Sequence, residues 1–134
     1  MIETHASSLK KLWEALMIPT GAVVLCHSYL PSIGRPLPDA TIVIDTLIER
    51  LGPKGTLVVP TFTYSYFNKE VFNVETSPSK VGVLGELVRN LPGAIRSTDP
   101  NFSMAALGYS AEVLMQRENR QSLGAGSIYD SLMQ

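Results

Sequence analysis

The chain has 134 residues, enough for one domain with a hydrophobic core of its own. Its 11 basic and 12 acidic residues give a formal net charge of −1 and form no run of like charges. The chain therefore lacks the basic surface expected of a protein that binds nucleic acid or an anionic membrane, and neither partner is expected. The single cysteine excludes an internal disulfide, and the lack of a bilayer-length apolar run or a secretory signal predicts a cytoplasmic protein.

The amino-terminal part predicts a helix followed by a buried strand. Residues 4–17 carry one apolar stripe at helical spacing, and Pro19 predicts the end of the helix. The unbroken apolar run over residues 22–27 is typical of a strand covered on both faces. Cys26 lies in this run, and we expect it to be a small buried hydrophobic side chain.

A second helix and a second strand follow. The helix over residues 39–51 is expected to have Asp39 as its N-cap and to end at Gly52. Residues 56–60 repeat the buried-strand pattern. Two strands joined by a helix in this way predict a parallel, right-handed unit.

The segment over residues 62–79 has no periodic pattern and is long for a connection inside a compact domain, which indicates a binding loop. Ser79 is the N-cap candidate for the helix that follows it. The remaining predicted elements are a helix over 82–91, strands over 94–97 and 103–107, and helices over 110–117 and 127–134.

This order of elements predicts a single α/β domain over residues 1–134, built in three layers with helices on both faces of a mainly parallel sheet. Residues 27–34 directly follow the first predicted strand, at the edge where open α/β sheets hold ligands. Small residues, proline and glycine in this segment would present successive main-chain N–H groups to a phosphate. The alternative is an ordinary strand-to-loop turn ending at Gly34.

The order of four sequence blocks resembles the aminoglycoside 3-N-acetyltransferase family, whose members use acetyl-coenzyme A. The blocks are His-Ser-Tyr-Leu-Pro-Ser-Ile-Gly at 27–34, Gly-Pro-Lys-Gly-Thr-Leu-Val-Val-Pro-Thr-Phe-Thr at 52–63, Ser-Pro-Ser-Lys-Val-Gly at 77–82 and Arg-Ser-Thr-Asp-Pro-Asn-Phe-Ser-Met-Ala-Ala-Leu-Gly at 96–108. The resemblance extends from about residue 21 to residue 132. It implies acetyl-CoA-dependent acetylation of an amino group on an aminoglycoside or amino sugar, with no metal.

The resemblance also bears on completeness. Family members are about twice as long, and their Gly-x-Gly-Ser-x-x-x-x-Leu segment, seen here at 124–132, lies near their middle. A Thr-x-x-His-x-x-Glu motif with the presumed catalytic histidine follows it in the family. The chain therefore resembles an amino-terminal half, and we expect it to be truncated and catalytically incomplete.

For the cofactor, the resemblance implies that residues 27–34 contact coenzyme A, with an orienting role for His27. Arg96 is expected to meet a phosphate or to form a salt bridge with a carboxylate. The extended backbone of residues 103–105 would pair with the amides of the pantetheine arm; an ordinary sheet strand is the alternative, and the two interpretations are compatible. The complete predicted set is His27, Ser28, Tyr29, Leu30, Ser32, Gly34, Arg96, Ser103, Met104 and Ala105.

For the acceptor, Asp99 stands where many antibiotic-modifying members carry histidine. Its carboxylate would bind a cationic amine, and would help to deprotonate it if burial raised its pKa. Equally, aspartate before proline is a common turn residue. The substitution places antibiotic acetylation in doubt and leaves an amino sugar of a surface polysaccharide as an acceptor.

An aromatic and acidic wall for that amine is predicted from Phe62, Tyr64, Tyr66, Phe67 and Glu70. The same residues would also suit a loop packed over the sheet edge.

Two other functions remain open from the sequence. One is a non-catalytic module that binds coenzyme A or a nucleotide, or another polypeptide that completes the sheet. The other is a different doubly wound enzyme, although no Gly-x-Gly-x-x-Gly fingerprint follows the first strand. The sequence leaves the oligomeric state open, a homo-oligomer included.

Overall fold

The computed structural model of the protein describes residues 2–33, 39–115 and 121–134. Gly34 and the end of the helix predicted over 110–117 lie outside the described residues. The elements match the sequence prediction to within a few residues at each boundary. They are α1 (Ile2–Ala15), β1 (Val23–Leu25), a 3₁₀ turn (Leu30–Ile33), α2 (Ala40–Leu51), β2 (Thr56–Pro60), α3 (Val83–Arg89), β3 (Ile95–Arg96), β4 (Met104–Gly108), α4 (Ala111–Met115) and α5 (Ile128–Leu132).

The two ends of α2 are those that the sequence predicts. The Asp39 side chain accepts a hydrogen bond from the Thr41 N–H at 2.8 Å, which satisfies one free donor of the first turn. Gly52 has φ 69° and donates its N–H to the Ile48 carbonyl. Only glycine adopts this left-handed conformation without steric cost, and α2 therefore ends there.

The N-cap prediction for α3 is wrong. The N-cap position is Gly82, which provides no side-chain bond. The Ser79 hydroxyl instead accepts from the Val81 N–H, and the Ser79 N–H donates to the Glu86 carboxylate at 2.8 Å. Ser79 thus connects the end of the preceding loop to α3. It is not the N-cap, because the chain turns once more between Ser79 and the start of the helix.

The sheet has the strand order β1-β2-β4-β3. β1 and β2 are parallel, and β4 is antiparallel to both β2 and β3. Three of these four strands therefore run in one direction, as predicted for a mainly parallel sheet, and β4 is inserted in the opposite direction between β2 and β3. The reason is the connection from β3 to β4 over residues 97–103, which is too short for a crossover to a parallel strand.

Helices cover both faces of the sheet, which confirms the three-layer prediction. One face packs Leu57, Val59 and Ala105 against α1, α2 and α3, and the other packs Val58, Met104 and Ala106 against α4 and α5. The alternation follows from the two-residue period of extended strands.

The topology gathers several loops at one end of the sheet. Leu25 pairs with Val58 near the carboxyl ends of β1 and β2, and Pro60 pairs with Met104 at the amino end of β4. The segments that follow β1 and β2 and the segment that precedes β4 therefore meet at the same edge, which positions the candidate site.

Candidate functional site

The turn after β1 has free main-chain donors. Within the described part of the chain, the N–H groups of residues 27–30 donate no hydrogen bond. The turn is closed by Ser32, whose N–H and hydroxyl both donate to the Tyr29 carbonyl, at 2.9 and 2.7 Å. His27 and Tyr29 are exposed, and Ser28 and Leu30 are half-buried. The predicted coenzyme turn thus presents its N–H groups without a competing partner in the described fold.

An apolar groove of about 310 Å³ adjoins this turn. Its walls come from α1, α2 and β1, and His27, Ser28, Tyr29 and Ser32 stand at the turn side of it. Cys26 also lines the groove, and burial raises the pKa of its thiol, so the side chain stays neutral as the sequence prediction of a small hydrophobic residue requires. A groove with apolar walls and donors along one rim suits a ligand with an extended arm and an anionic group.

An aromatic cluster stands beside the turn. The Phe62 ring makes edge-to-face contacts with His27, Phe102 and Tyr64, at centroid distances of 6.4, 5.2 and 6.2 Å. Phe102 also contacts Tyr64 at 5.8 Å and Phe67 at 6.0 Å. The predicted wall residues Phe62, Tyr64 and Phe67 therefore form one surface, and it is continuous with the coenzyme turn.

Phe102 joins these rings, and the sequence analysis did not assign it to the site. A signal was present, since Phe102 lies in the block at 96–108, three residues after Asp99. Tyr129 was missed as well. Tyr129 lines the crevice beside Asp99 together with Phe102, and burial, with a smaller effect of Tyr64, raises the pKa of its phenol.

Tyr64 has an unusual backbone conformation. Its φ is 53°, in the left-handed region that bulky side chains seldom adopt. Two hydrogen bonds hold it there, because its N–H donates to the Asn101 carbonyl and its own carbonyl accepts from the Asn68 N–H. Met17 and Lys69 share this conformation, with φ 54° and 56°, so the role of Tyr64 as a ligand contact stays a prediction.

Glu70, the predicted acidic part of the wall, has a cationic partner within the protein. Its carboxylate is exposed and pairs with the Lys80 ammonium at 2.8 Å. A carboxylate that is already neutralised by a lysine attracts a cationic amine only weakly. The wall seen in the structure is therefore aromatic.

Asp99 forms the turn before β4. One carboxylate oxygen accepts from the N–H groups of Asn101 and Phe102, both at 2.8 Å, and the other accepts from the Ser122 hydroxyl. The crevice next to it measures about 10 Å³, the volume of roughly one water molecule. This geometry supports the turn alternative for Asp99 and gives no support to proton transfer from an amine.

Among the described residues, Arg96 forms no salt bridge with a carboxylate. Its guanidinium donates to the Thr61, Val74 and Ser77 carbonyls and to the Thr61 and Ser103 hydroxyls. Burial lowers its pKa to about 10, so the group remains charged at neutral pH. In place of a carboxylate, Arg96 contacts groups of the loop after β2, which folds back over β3, and its contact with a phosphate stays a prediction.

The backbone of residues 103–105 does not offer a free edge to pantetheine. Met104 pairs with Pro60 in β2, and Ala105 pairs with both Val59 and Arg96. The Ser103 carbonyl accepts from the Thr61 N–H. Because β4 is bonded on both sides at Ala105, the structure supports an ordinary strand there, and the contact of Ser103, Met104 and Ala105 with pantetheine stays a prediction.

Within residues 2–33, 39–115 and 121–134, no group of three or more His, Cys, Asp or Glu side chains is placed to hold a metal ion. In the same part of the chain, no helix combines the length and the apolar character needed to cross a bilayer.

Comparisons with known proteins point to one family. The profile described as Aminoglycoside 3-N-acetyltransferase matches residues 25–134. The chain is 39% identical over 103 residues to aminoglycoside N(3)-acetyltransferase IV of Salmonella sp, an alignment that covers 75% of this chain and 38% of that relative. It spans about half the length of the curated relatives it matches, or less.

Two solved structures show the same fold. AAC-IIIb in a binary complex with CoASH is 26% identical, with a TM-score of 0.79 over 95% of this chain and 55% of that chain. A variant of aminoglycoside acetyltransferase AAC(3)-IVa in complex with apramycin is 31% identical, with a TM-score of 0.79 over 95% of this chain and 51% of that chain.

Proposed function

Because this chain belongs to the aminoglycoside 3-N-acetyltransferase family, we propose that it forms the coenzyme-binding half of an acetyl-CoA-dependent N-acetyltransferase. The observation that carries the proposal is the turn after β1, whose N–H groups at residues 27–30 have no partner in the described fold and border an apolar groove. The N–H groups of Ser28, Tyr29 and Leu30 would bind the diphosphate oxygens. The groove would hold apolar parts of the coenzyme.

We propose that the acceptor is an amine on an aminoglycoside or amino sugar, bound against the aromatic cluster of Phe62, Tyr64, Phe67 and Phe102. Such rings stack on sugar faces and attract cations. The complex of a 31% identical relative with apramycin supports this class of acceptor. The contact between His27 and Phe62 supports it too, since it sets the acceptor surface next to the coenzyme turn.

In the proposed reaction, the neutral amine nitrogen bonds to the thioester carbonyl carbon and the carbon–sulfur bond breaks. The ammonium proton must pass to a base, and the thiolate leaves with a proton. We assign to the chain's own turn the binding of the coenzyme diphosphate, and to main-chain N–H groups at the other end of the pantetheine arm the polarisation of the thioester carbonyl. We assign the base to the part of the family fold that this chain does not span.

The direct test is a titration of the folded chain with coenzyme A, monitored by calorimetry and by the amide signals in NMR spectra. We expect saturable binding and shifts of the amide signals of residues 28–30, with little change in α4. Leu16 lines the groove, and Leu16→Trp would place a larger side chain there. This variant should weaken binding about tenfold or more, because the steric clash with the ligand outweighs the added contact area. Val113→Trp, on the exposed face of α4, is the matched control and should bind normally.

Two results would contradict this proposal. One is a folded chain that gives neither heat nor amide shifts with coenzyme A. The other is binding that shifts amides elsewhere and leaves those of residues 28–30 unchanged.

A second candidate function is the non-catalytic module completed by a partner polypeptide. In the described sheet β1 is hydrogen-bonded to β2 on one side only, and its first residue, Val23, is 42% exposed. Leu16 and Met17 nearby are 58% and 81% exposed. An open edge with apolar neighbours favours pairing with another chain. A well-behaved monomer in size-exclusion chromatography with light scattering would count against it.

A further inference from the structure

The acceptor surface depends on a long irregular loop. Residues 61–80 join β2 to α3 without a helix or strand, and they carry Phe62, Tyr64 and Phe67. A segment of this length has many conformations of similar energy unless other contacts fix it. Main-chain hydrogen bonds to Pro100 and Asn101 hold residues 63–66, and the later part of the loop needs further contacts to stay in place beside them.

Arg96 bridges the two ends of this loop. Its Nη2 donates to the Thr61 carbonyl at 2.8 Å, at the start of the loop. Its Nη1 donates to the Val74 carbonyl at 3.3 Å and to the Ser77 carbonyl, near the end of the loop. One planar guanidinium thus fixes the separation between segments 13 or more residues apart in the chain.

The guanidinium is itself held in one orientation. Its Nε donates to the hydroxyls of Thr61 and Ser103, at 3.1 and 3.2 Å, and these two buried hydroxyls are hydrogen-bonded to each other at 3.0 Å. The Phe72 ring covers the guanidinium, with the central carbon 5.3 Å from the ring centroid. Within the described residues no carboxylate forms an ion pair with Arg96. Its partners are neutral oxygens in a fork arrangement that a lysine cannot reproduce.

A second pair of side chains holds the same stretch from α3. The Arg89 guanidinium donates to the Glu75 carbonyl at 3.0 Å, and the Glu86 carboxylate accepts from the Ser79 N–H at 2.8 Å. These contacts reach only the end of the loop. Arg96 alone, among the described side chains, joins that end to Thr61.

We propose that Arg96 is a positioning residue, which clamps the loop over residues 61–80 so that the aromatic acceptor surface is preformed before the amine binds. The proposal rests on the proposed function for its ligand, but the clamp itself is a property of the free chain. Arg96 does not touch the acceptor. It acts through the carbonyls of Thr61, Val74 and Ser77.

The test uses Arg96→Lys and Arg96→Gln in the full chain, with hydrogen exchange followed amide by amide. The reporting amides are those of Glu75, Thr76, Ser77 and Lys80, which are hydrogen-bonded within the loop. Both variants should exchange these amides about tenfold faster or more, whereas amides of α2 should change little.

Arg50→Gln is the matched control. Arg50 also donates from Nε to a main-chain carbonyl, that of Ile18 at 2.7 Å, but it lies far from the loop in the α1–α2 region. It should leave the loop amides protected.

Binding measurements distinguish a positioning role of Arg96 from a general contribution to stability. Arg96→Lys should weaken apramycin binding about tenfold while coenzyme A binding stays within about twofold, because the coenzyme turn receives no bond from Arg96. If the native chain binds no apramycin, the acceptor assignment fails and the exchange data still decide the clamp.

Unchanged protection of the loop amides in both Arg96 variants would overturn the proposal. So would a uniform loss of protection across α2 and the loop in Arg96→Lys, since that result indicates a general fold contribution. If Arg96→Gln does not fold, Arg96→Lys alone carries the decision by the same two criteria.

Discussion

The His27 ring, directly after β1 and Cys26, meets the Phe62 ring that follows β2, edge to face at a centroid distance of 6.4 Å. The two strands are parallel neighbours, so their carboxyl ends deliver both rings to one edge of the sheet. This contact joins the turn proposed to bind coenzyme A to the aromatic surface proposed to hold the acceptor. A coenzyme bound at the turn and an amine bound on the rings would lie on adjacent surfaces.

Phe62→Ala should lower the free energy of unfolding by about 2–3 kcal/mol. The ring contacts His27, Tyr64 and Phe102 but is only half-buried, so the cost falls below that of a fully buried phenylalanine. Urea denaturation provides the measurement. Tyr66→Ala, at a site 72% exposed, is the control and should change stability by less than about 0.5 kcal/mol. Equal effects of the two substitutions would show that the Phe62 contacts contribute nothing specific.

Thr46→Val should lower the free energy of unfolding by about 1–3 kcal/mol, because it leaves the buried Trp13 indole N–H without an acceptor. That N–H donates to the Thr46 hydroxyl at 3.0 Å and ties α1 to α2. Thr46→Ser keeps the hydroxyl and should cost less than about 1 kcal/mol. A valine variant as stable as the serine variant in urea would contradict the assignment of this bond.

Asp99→Asn and Asp99→Ala separate the two roles of this carboxylate. Asparagine retains an oxygen for the Asn101 and Phe102 N–H groups, whereas alanine removes the acceptor altogether. If Asp99 is a turn residue, the alanine variant should lose about 1–2 kcal/mol of stability and the asparagine variant much less. Amine binding measured on the asparagine variant is the second readout. A large loss of amine affinity with normal stability would instead show that the charge acts on the acceptor.

The pair Glu86 and Arg89 predicts a dependence of stability on pH. The hydrogen bond from Arg89 lowers the pKa of Glu86 below its ordinary value, with smaller help from the Ser79 N–H and Asn90, and burial acts in the opposite direction. Because the folded-state pKa is lower than the unfolded one, the stabilisation is complete above the ordinary glutamate pKa of about 4.3 and is lost as pH falls through the folded value.

The measurement for this pair is the urea midpoint from about pH 6 down to about pH 3. The unmodified chain should lose stability over this window, and Glu86→Gln should lose less. Arg89→Gln should reduce the slope in the same way, since it removes the cation that lowers the pKa. Parallel curves for all three proteins would rule out a contribution from this pair.

Much of the fold follows from local sequence. The α2 caps at Asp39 and Gly52 are encoded by residue types that suit those backbone conformations, and both are found as predicted. The buried strands β1 and β2 follow from unbroken apolar runs. The three-layer arrangement follows from helices that alternate with such strands. Ser79 was misassigned as an N-cap because serine suits several loop roles, and only its contact with Glu86 distinguishes them.

The candidate site divides in a similar way. The turn over residues 27–30 was predicted from its position after a strand, and its donors are free in the described fold. Phe102 and Tyr129 were missed, since a single aromatic residue outside a periodic pattern gives no signal of its neighbours. Glu70 was placed in the wall because a sequence does not reveal that Lys80, ten residues away, neutralises it.

The order and type of the elements, the ends of α2 and the strand-to-turn segment proposed to bind a phosphate follow from the sequence alone, because each depends on interactions between residues close in the chain. The insertion of β4 between β2 and β3, which pairs the backbone of Met104 and Ala105, is visible only in the tertiary structure. So are the hydrogen bonds from the Arg96 guanidinium to carbonyls of the loop after β2. Both outcomes rest on hydrogen bonds between groups that are distant in sequence, and such bonds form only when the packed sheet brings their donors and acceptors together.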